Sequence, residues 1–482
     1  MACAVLGVVV LTVAACGAQP LPAAPAVPAT PAASPTATPT VAPTDTSTPA
    51  PTLLPTWTPA PTPVPGVLYV DPAQDMGAIS PLVYGSNYGP WMPIRPETLP
   101  LAEQAGLTLL RFPGGEWGDQ NDLQGYHIDQ FVDLARRMGA QPMIHVRLPG
   151  STPEQAAALV QYTQDKGYDV RYWAIGNEPS LYQDRKGLED WDTVRYNAEW
   201  RKFAEAMRAV DPEIVLFGPE VHQWTGSPQV DPKDKAGRDW LREFLKANGD
   251  LVDIVAIHRY PFPNNAEKTS ARPDELRANA REWNGIVRNL RQVIRDETRR
   301  DLPVAVTEAN SHWTLGNSRD TTPDSLLSAL WWADVLGRLI SEKVDAVAHW
   351  NLASGGESGH GMLAKYEARP AYYVYQLYKH FGGNLVYSSS DDPMVSIYVA
   401  KRDDGALTLM LVNLASEEKR VPLRLDNFEP GGPAEVWRFD AEHKAEQIES
   451  QEIVDGTELV LSAESATLIV MPPSTNGARI HE

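Results

Sequence analysis

The sequence predicts an α/β chain: a (β/α)8 TIM barrel with a C-terminal antiparallel β-sandwich. Three observations predict it. Eight short apolar runs alternate with stretches of helical spacing between residues 67 and 383, which is how parallel βα units read. After Gly383 the helical spacing stops and strand-like runs follow one another. Asp404-Gly405 and Asp455-Gly456 lie between those later runs, where hairpins need residues that tolerate positive φ.

Taken in order, residues 1–16 form a short apolar run ending in small residues, the shape of an export signal rather than a spanning helix. Its end, Val13-Ala14-Ala15-Cys16, resembles a bacterial lipobox and makes Cys16 the expected lipidation site. Residues 17–66 hold fifteen of the 42 prolines and a single charge, Asp45, so they read as an extended linker. The expected location is therefore extracellular or at the cell surface, anchored by lipid.

The barrel is assigned to 67–383. Its expected strands are Leu82–Ser86, Thr108–Phe112, Pro142–Val146, Val170–Ile175, Ile214–Gly218, Ile254–His258, Val304–Thr307 and Ala346–Trp350. Helical spacing between them includes Ile128–Met138, Thr193–Val210 and Pro273–Arg295; the last puts Leu276, Ala280, Trp283, Val287, Leu290 and Ile294 on one stripe. The sandwich is assigned to 384–475, with expected strands Val395–Lys401, Leu407–Leu414, Val421–Leu425, Glu435–Phe439, Leu459–Leu461 and Ala466–Met471, and with 67–70 as a candidate extra strand. Residues 476–482 form a tail.

Composition narrows the function. With 43% hydrophobic residues in 482, the chain can bury a sizeable core. A net charge of -20 argues against nucleic acid and anionic membrane surfaces as partners, while neutral sugars stay compatible. The only cysteines are Cys3 and Cys16, which leaves the folded part without a disulfide or a thiolate site. His258, His312, His349 and His360 have no metal-ligand spacing, and neither metal nor cofactor is expected.

In such barrels the chemistry sits where strands end. Asn177-Glu178-Pro179 closes the fourth strand and Thr307-Glu308-Ala309 the seventh. Two carboxylates on one rim are what glycoside hydrolysis needs: one protonates the leaving oxygen, the other attacks the anomeric carbon or activates water. Glu116, Asp119 and Glu220 also fall near strand ends, but none follows an asparagine.

Asn177-Glu178-Pro179 and Glu308 resemble the signatures of glycoside hydrolase clan A, as do Ile79–Gly85, Leu110–Gly115, His258–Pro261 and Arg369–Tyr373. The arabinofuranosidase, xylosidase, glucuronidase and endoglucanase/xyloglucanase families are the nearest in kind. The resemblance implies a retaining O-glycoside hydrolase with a carbohydrate substrate, Glu178 as acid/base and Glu308 as nucleophile. It also implies that Asn177 bonds the sugar 2-hydroxyl, that Arg111 sits beside Glu308, and that Tyr260 or His258 holds Glu308. Trp350, ending the eighth expected strand, offers an aromatic face on which a sugar can stack. A noncatalytic surface glycan-binding protein and a transglycosylase are the alternatives.

Overall fold

The computed structural model describes residues 63–264, 269–356 and 358–474. Cys16, the export segment, all but the last four residues of the linker, and the 476–482 tail lie outside the described residues.

The first element, β1 (Leu68–Ala78), belongs to the C-terminal sheet. The barrel follows: β2 (Leu82–Asn87), β3 (Leu109–Phe112), β4 (Gln141–Val146), β5 (Tyr172–Ile175), β6 (Val215–Val221), β7 (Ile254–Arg259), β8 (Val304–Ala309) and β9 (Ala346–His349). These eight strands pair in parallel in chain order and close from β9 onto β2. Near-continuous apolar runs suit strands covered on both faces. Every strand gives at least one side chain to the barrel interior, from bulky Phe217 and Met143 to Ala256, Ala305 and Ala346, so the centre is a packed plug rather than a pore.

Helices lie outside the barrel. Gly125–Met138 ends on Gly139, whose φ of 70° gives the left-handed cap that glycine adopts most easily. Thr193–Val210 starts from Asp192, whose carboxylate accepts from the Arg195 amide. The expected helix Pro273–Arg295 is instead two, Pro273–Asn279 and Glu282–Thr298. Ala280 and Arg281 between them keep right-handed helical dihedrals, so the buried stripe of Leu276, Ala280 and Trp283 runs on across the interruption.

The remaining strands are β10 (Asn384–Ser389), β11 (Val395–Lys401), β12 (Leu407–Asn413), β13 (Lys419–Leu425), β14 (Ala434–Phe439), β15 (Lys444–Gln451), β16 (Glu458–Leu461) and β17 (Ser465–Met471). With β1 they form one nine-stranded sheet, ordered β15-β14-β17-β12-β11-β10-β1-β13-β16. All its pairs are antiparallel except β1 with β13. The sandwich is this single sheet curling until Leu68, Leu409, Leu423 and Leu461 meet inside it. Along β12, Leu409 and Leu411 face that interior, while Met410 and Val412 join the core shared with the barrel helices. The strand is therefore buried on both faces.

Candidate active site

The site lies at the carboxyl ends of the barrel strands, and local backbone irregularities aim its side chains. Between β7 and β8 the register steps from Ile257 opposite Val306 to His258 opposite Glu308, passing over Thr307. A second irregularity between β6 and β7 leaves Glu220 at φ 59°. Bulges of this kind turn a side chain out of the alternating pattern. Glu178, just past β5, has φ 46°, an uncommon conformation for a residue with a Cβ that the packed surroundings must hold in place.

Arg111, at the end of β3, is fully buried and organises the floor. Its Nε and Nη2 donate to the two oxygens of Glu220 (3.0 and 2.7 Å), and Nη1 donates to Glu308 Oε1 (3.0 Å) and Asn87 Oδ1 (2.8 Å). Nη2 also reaches Asn177 Oδ1 at 2.8 Å. Tyr260 donates its hydroxyl to the other oxygen of Glu308 at 2.7 Å. Burial and the charge of Glu308 raise the Tyr260 pKa well above its ordinary value, so this hydroxyl keeps its proton. Burial works against the charge of Glu220, but the Arg111 guanidinium outweighs it and holds that carboxyl well below the usual range.

Glu178 is held differently. Its Oε1 meets His222 Nδ1 at 2.6 Å and His258 Nδ1 at 3.1 Å. Burial alone would raise the Glu178 pKa; the charge and hydrogen bonds of the two imidazoles overcome it and hold the carboxyl well below its ordinary value. Burial likewise pushes His258 down, but the charge of Glu308 and the hydrogen bonds with Glu178 and Glu220 lift it to about 9. His258 therefore carries a proton at neutral pH, 3.7 Å from Glu308 Oε2 as well. Asn177 is fixed from behind, its amide donating to Asp119 while Lys186 donates to both Asp119 and the Asn177 carbonyl. Its Nδ2 is buried and has no hydrogen-bond partner among the described residues.

One oxygen of Glu178, one of Glu308 and a ring nitrogen of His258 lie within 4.8 Å of one another. Such a group resembles a metal site, but Arg111 and the protonated His258 already supply positive charge to it. The carboxylates are better placed to react with a substrate than to hold a cation.

A family model described as "Glycosyl hydrolases family 39" matches residues 159–421, more than half of the 482. The chain belongs to that family. Among curated proteins, this family 39 chain is 23% identical over 262 residues to an intracellular exo-α-(1→5)-L-arabinofuranosidase of Streptomyces lividans, covering 42% of this chain and 38% of the relative. It is 24% identical over 289 residues to heparanase of Bos taurus, covering 56% and 48%. The chain thus spans less than half the length of these two relatives. Its fold is that of a bifunctional glucanase-xylanase from a metagenome library (TM-score 0.67, 19% identity, 84% of this chain and 99% of that one). An α-L-arabinofuranosidase from Thermotoga maritima matches with TM-score 0.65, 18% identity and the same coverage.

Within this family 39 chain, Arg111, Asn177, Glu178, His258, Tyr260 and Glu308 converge as the sequence leads one to expect. Tyr260 is the residue that bonds Glu308, whereas His258 bonds Glu178. Trp350 closes β9 beside them, its amide bonded to the Ala309 carbonyl at 2.8 Å, and is half-buried. Of the competing acids, Glu116 is exposed, Asp119 supports the Asn177 backbone and Glu220 supports Arg111. The sequence reading missed Asn87 and His222. Both end or follow a barrel strand, and that position was the available signal.

Proposed function

We propose that the protein is a retaining O-glycoside hydrolase acting on a polysaccharide or oligosaccharide, with Glu308 as nucleophile and Glu178 as acid/base. The observation that carries this reading is the spacing of the two carboxylates. Retaining enzymes hold theirs about 5–5.5 Å apart, whereas inverting enzymes need about 6.5–9.5 Å to seat a water. Here an oxygen of Glu178 and one of Glu308 lie within 4.8 Å of each other, which supports the closer, direct-attack arrangement.

The hydrogen bonds divide the labour. Arg111 and Tyr260 fix both oxygens of Glu308 and aim it at the anomeric carbon. An ionised Glu178 has no proton to give, so the acid step draws on the proton His258 holds 3.1 Å away. The charge of Glu308 is the largest influence raising His258, and that charge disappears as Glu308 forms the glycosyl ester. Attack therefore releases the His258 proton toward Glu178 and on to the departing oxygen. Glu178, anionic again, then takes a proton from the water that cleaves the ester.

The test is stereochemical and mutational. Proton NMR of the first product formed should show the anomer of the substrate; initial appearance of the inverted anomer would rule the mechanism out. Glu308→Ala should abolish turnover across a panel of aryl glycosides, which also separates an enzyme from a glycan-binding protein. Glu178→Ala should retain turnover of substrates with good leaving groups and gain rate when azide is added, because azide needs no general base.

The proposal extends to location: a protein tethered outside the cytoplasm by lipid on Cys16, supported by the apolar run and proline-rich linker that precede the fold. Cys16→Ser should release the protein from the membrane fraction. Equal release of the parent protein would refute the anchor.

A further inference from the structure

The mouth of the barrel carries a second aromatic feature that the chemistry above does not use. Trp91, in the loop after β2, lies beside Trp350 with ring centroids 6.2 Å apart and planes 33° from parallel. Trp117, in the segment after β3, also neighbours Trp91, at 6.3 Å and 32°. The three indoles form one continuous wall, yet Trp91 is 40% exposed. Single exposed apolar residues are common and mean little. This one is different because the backbone has been cleared to hold it.

A Cβ on Gly89 would come within 2.1 Å of the Trp91 ring and 2.2 Å of the Pro113 carbonyl. A Cβ on Gly115 would meet Trp350 Cη2 at 2.6 Å, and Gly114 and Gly115 both have φ near +64° (64° and 63°). Glycine at these positions lets the loops lie directly against the rings, so both indoles are seated before anything binds. A rigid, preformed flat apolar face is what a sugar ring needs, since its C–H face can be covered without hydrogen bonds and without ordering a side chain on binding.

The wall also has a direction. Around the closed barrel Trp350 and Trp91 belong to the ends of β9 and β2, on the side of Glu308 on β8 and four and three strands from β5, which Glu178 follows, whereas Trp117 follows β3, two strands from β5. Gly114 ties it to the reactive floor, its missing Cβ being 3.4 Å from Asn87 Oδ1 and 3.5 Å from Trp350. The leaving part of the substrate lies toward Glu178, which protonates it. Trp350 and Trp91 therefore flank the part that stays bonded to Glu308, with Trp117 beside Trp91.

From this geometry, and resting on the proposed hydrolase function, we propose that Trp91, supported by Trp117, extends Trp350 into a glycan subsite for at least one further sugar on the glycone side. The enzyme then cuts within a chain of sugars rather than removing single terminal residues.

Affinity electrophoresis of the Glu308→Gln protein in gels containing arabinan, xylan, xyloglucan or β-glucan tests the subsite without requiring turnover. At least one polysaccharide should retard it, and adding Trp91→Ala should weaken that retardation at least about tenfold in apparent dissociation constant. Trp91→Phe, which keeps a flat ring, should restore most of the binding and guards against a folding defect, as does Trp117→Ala tested separately. No retardation, or retardation unchanged by Trp91→Ala and Trp117→Ala, overturns the subsite. With the active parent, the first products from the retarding polysaccharide should be disaccharides or longer; monosaccharide alone overturns the internal cut. Trp91-dependent binding by a protein inactive on every glycoside would instead fault the hydrolase reading and leave the subsite standing.

Discussion

Arg111 divides its guanidinium between two carboxylates, and they do different jobs: Glu308 faces the reacting centre, while Glu220 takes two of the donors and holds the guanidinium flat. Glu220→Gln would leave Arg111 with half of its charge compensation in a fully buried setting. Removing one partner of a buried pair costs about 3–5 kcal/mol, so a clear fall in the melting temperature is expected, with kcat reduced because Arg111 no longer fixes Glu308. The sign of the pH effect follows from the depressed Glu220 pKa. Its contribution is present above the ordinary carboxyl value of 4.5 and fades as pH falls below it; the Gln variant should lose stability less steeply on acidification than the parent. His258 runs the other way. Raised to about 9, its proton is present at neutral pH and lost as pH rises through that value, taking the acid step with it. The pH profile of kcat/KM should therefore fall on the alkaline side near 9, and His258→Asn should move or remove that limb. Residue by residue, the pair Asn177-Glu178 was legible because a strand end preceded it. His222 also follows a strand end, but its contact with Glu178 depends on the backbone turn at Glu220, and a left-handed glutamate leaves no trace in a single sequence.

The helix Leu326–Ser341 shows what an element must satisfy when both sides are covered. Thirteen of its residues are buried, so its sequence reads apolar all round instead of striped. At Gly337 an added Cβ would lie 2.2 Å from the Tyr398 ring, and that ring is pinned by hydroxyl bonds to the Asp334 carbonyl and carboxylate. Alanine ordinarily favours a helix interior over glycine by about 1 kcal/mol, whereas forcing atoms into a packed core costs about 1–3 kcal/mol. Gly337→Ala should thus lower the melting temperature rather than raise it; thermal unfolding followed by circular dichroism decides. The eight barrel strands were legible because each is a compact apolar run. β15, with Lys444-Ala445-Glu446-Gln447 at its start, is an exposed edge strand with almost no apolar alternation, and β10 follows two glycines and ends in two serines. Both lack the pattern by which strands are read. The split near Ala280 was equally silent, since the apolar stripe crosses it unchanged.

At the scale of the molecule, the barrel and the curled sheet share one core: Tyr398, Met410 and Leu468 of the sheet pack in the same cluster as Leu339 and Tyr375 of the barrel helices. Truncation after Gly383 would uncover that surface. The fragment 67–383 should be insoluble or melt well below the full chain, and a soluble fragment with an unchanged melting temperature and full activity would contradict this coupling. The overall class was legible because the change of periodicity at Gly383 is sharp; that the sandwich is a single sheet was not, because curling is a property of nine strands acting together. The position of β1 carries one more consequence. The strand lies between β10 and β13, with six residue pairs registered on one side and three on the other. Tension arriving through the linker at Gly66 runs lengthwise along β1 and loads those pairs in shear, all together, instead of peeling them apart one at a time. Under the proposed lipid anchor, a body hung by that end would resist being dragged apart by flow or by a taut substrate, through a strand that belongs to the curled sheet and not to the barrel.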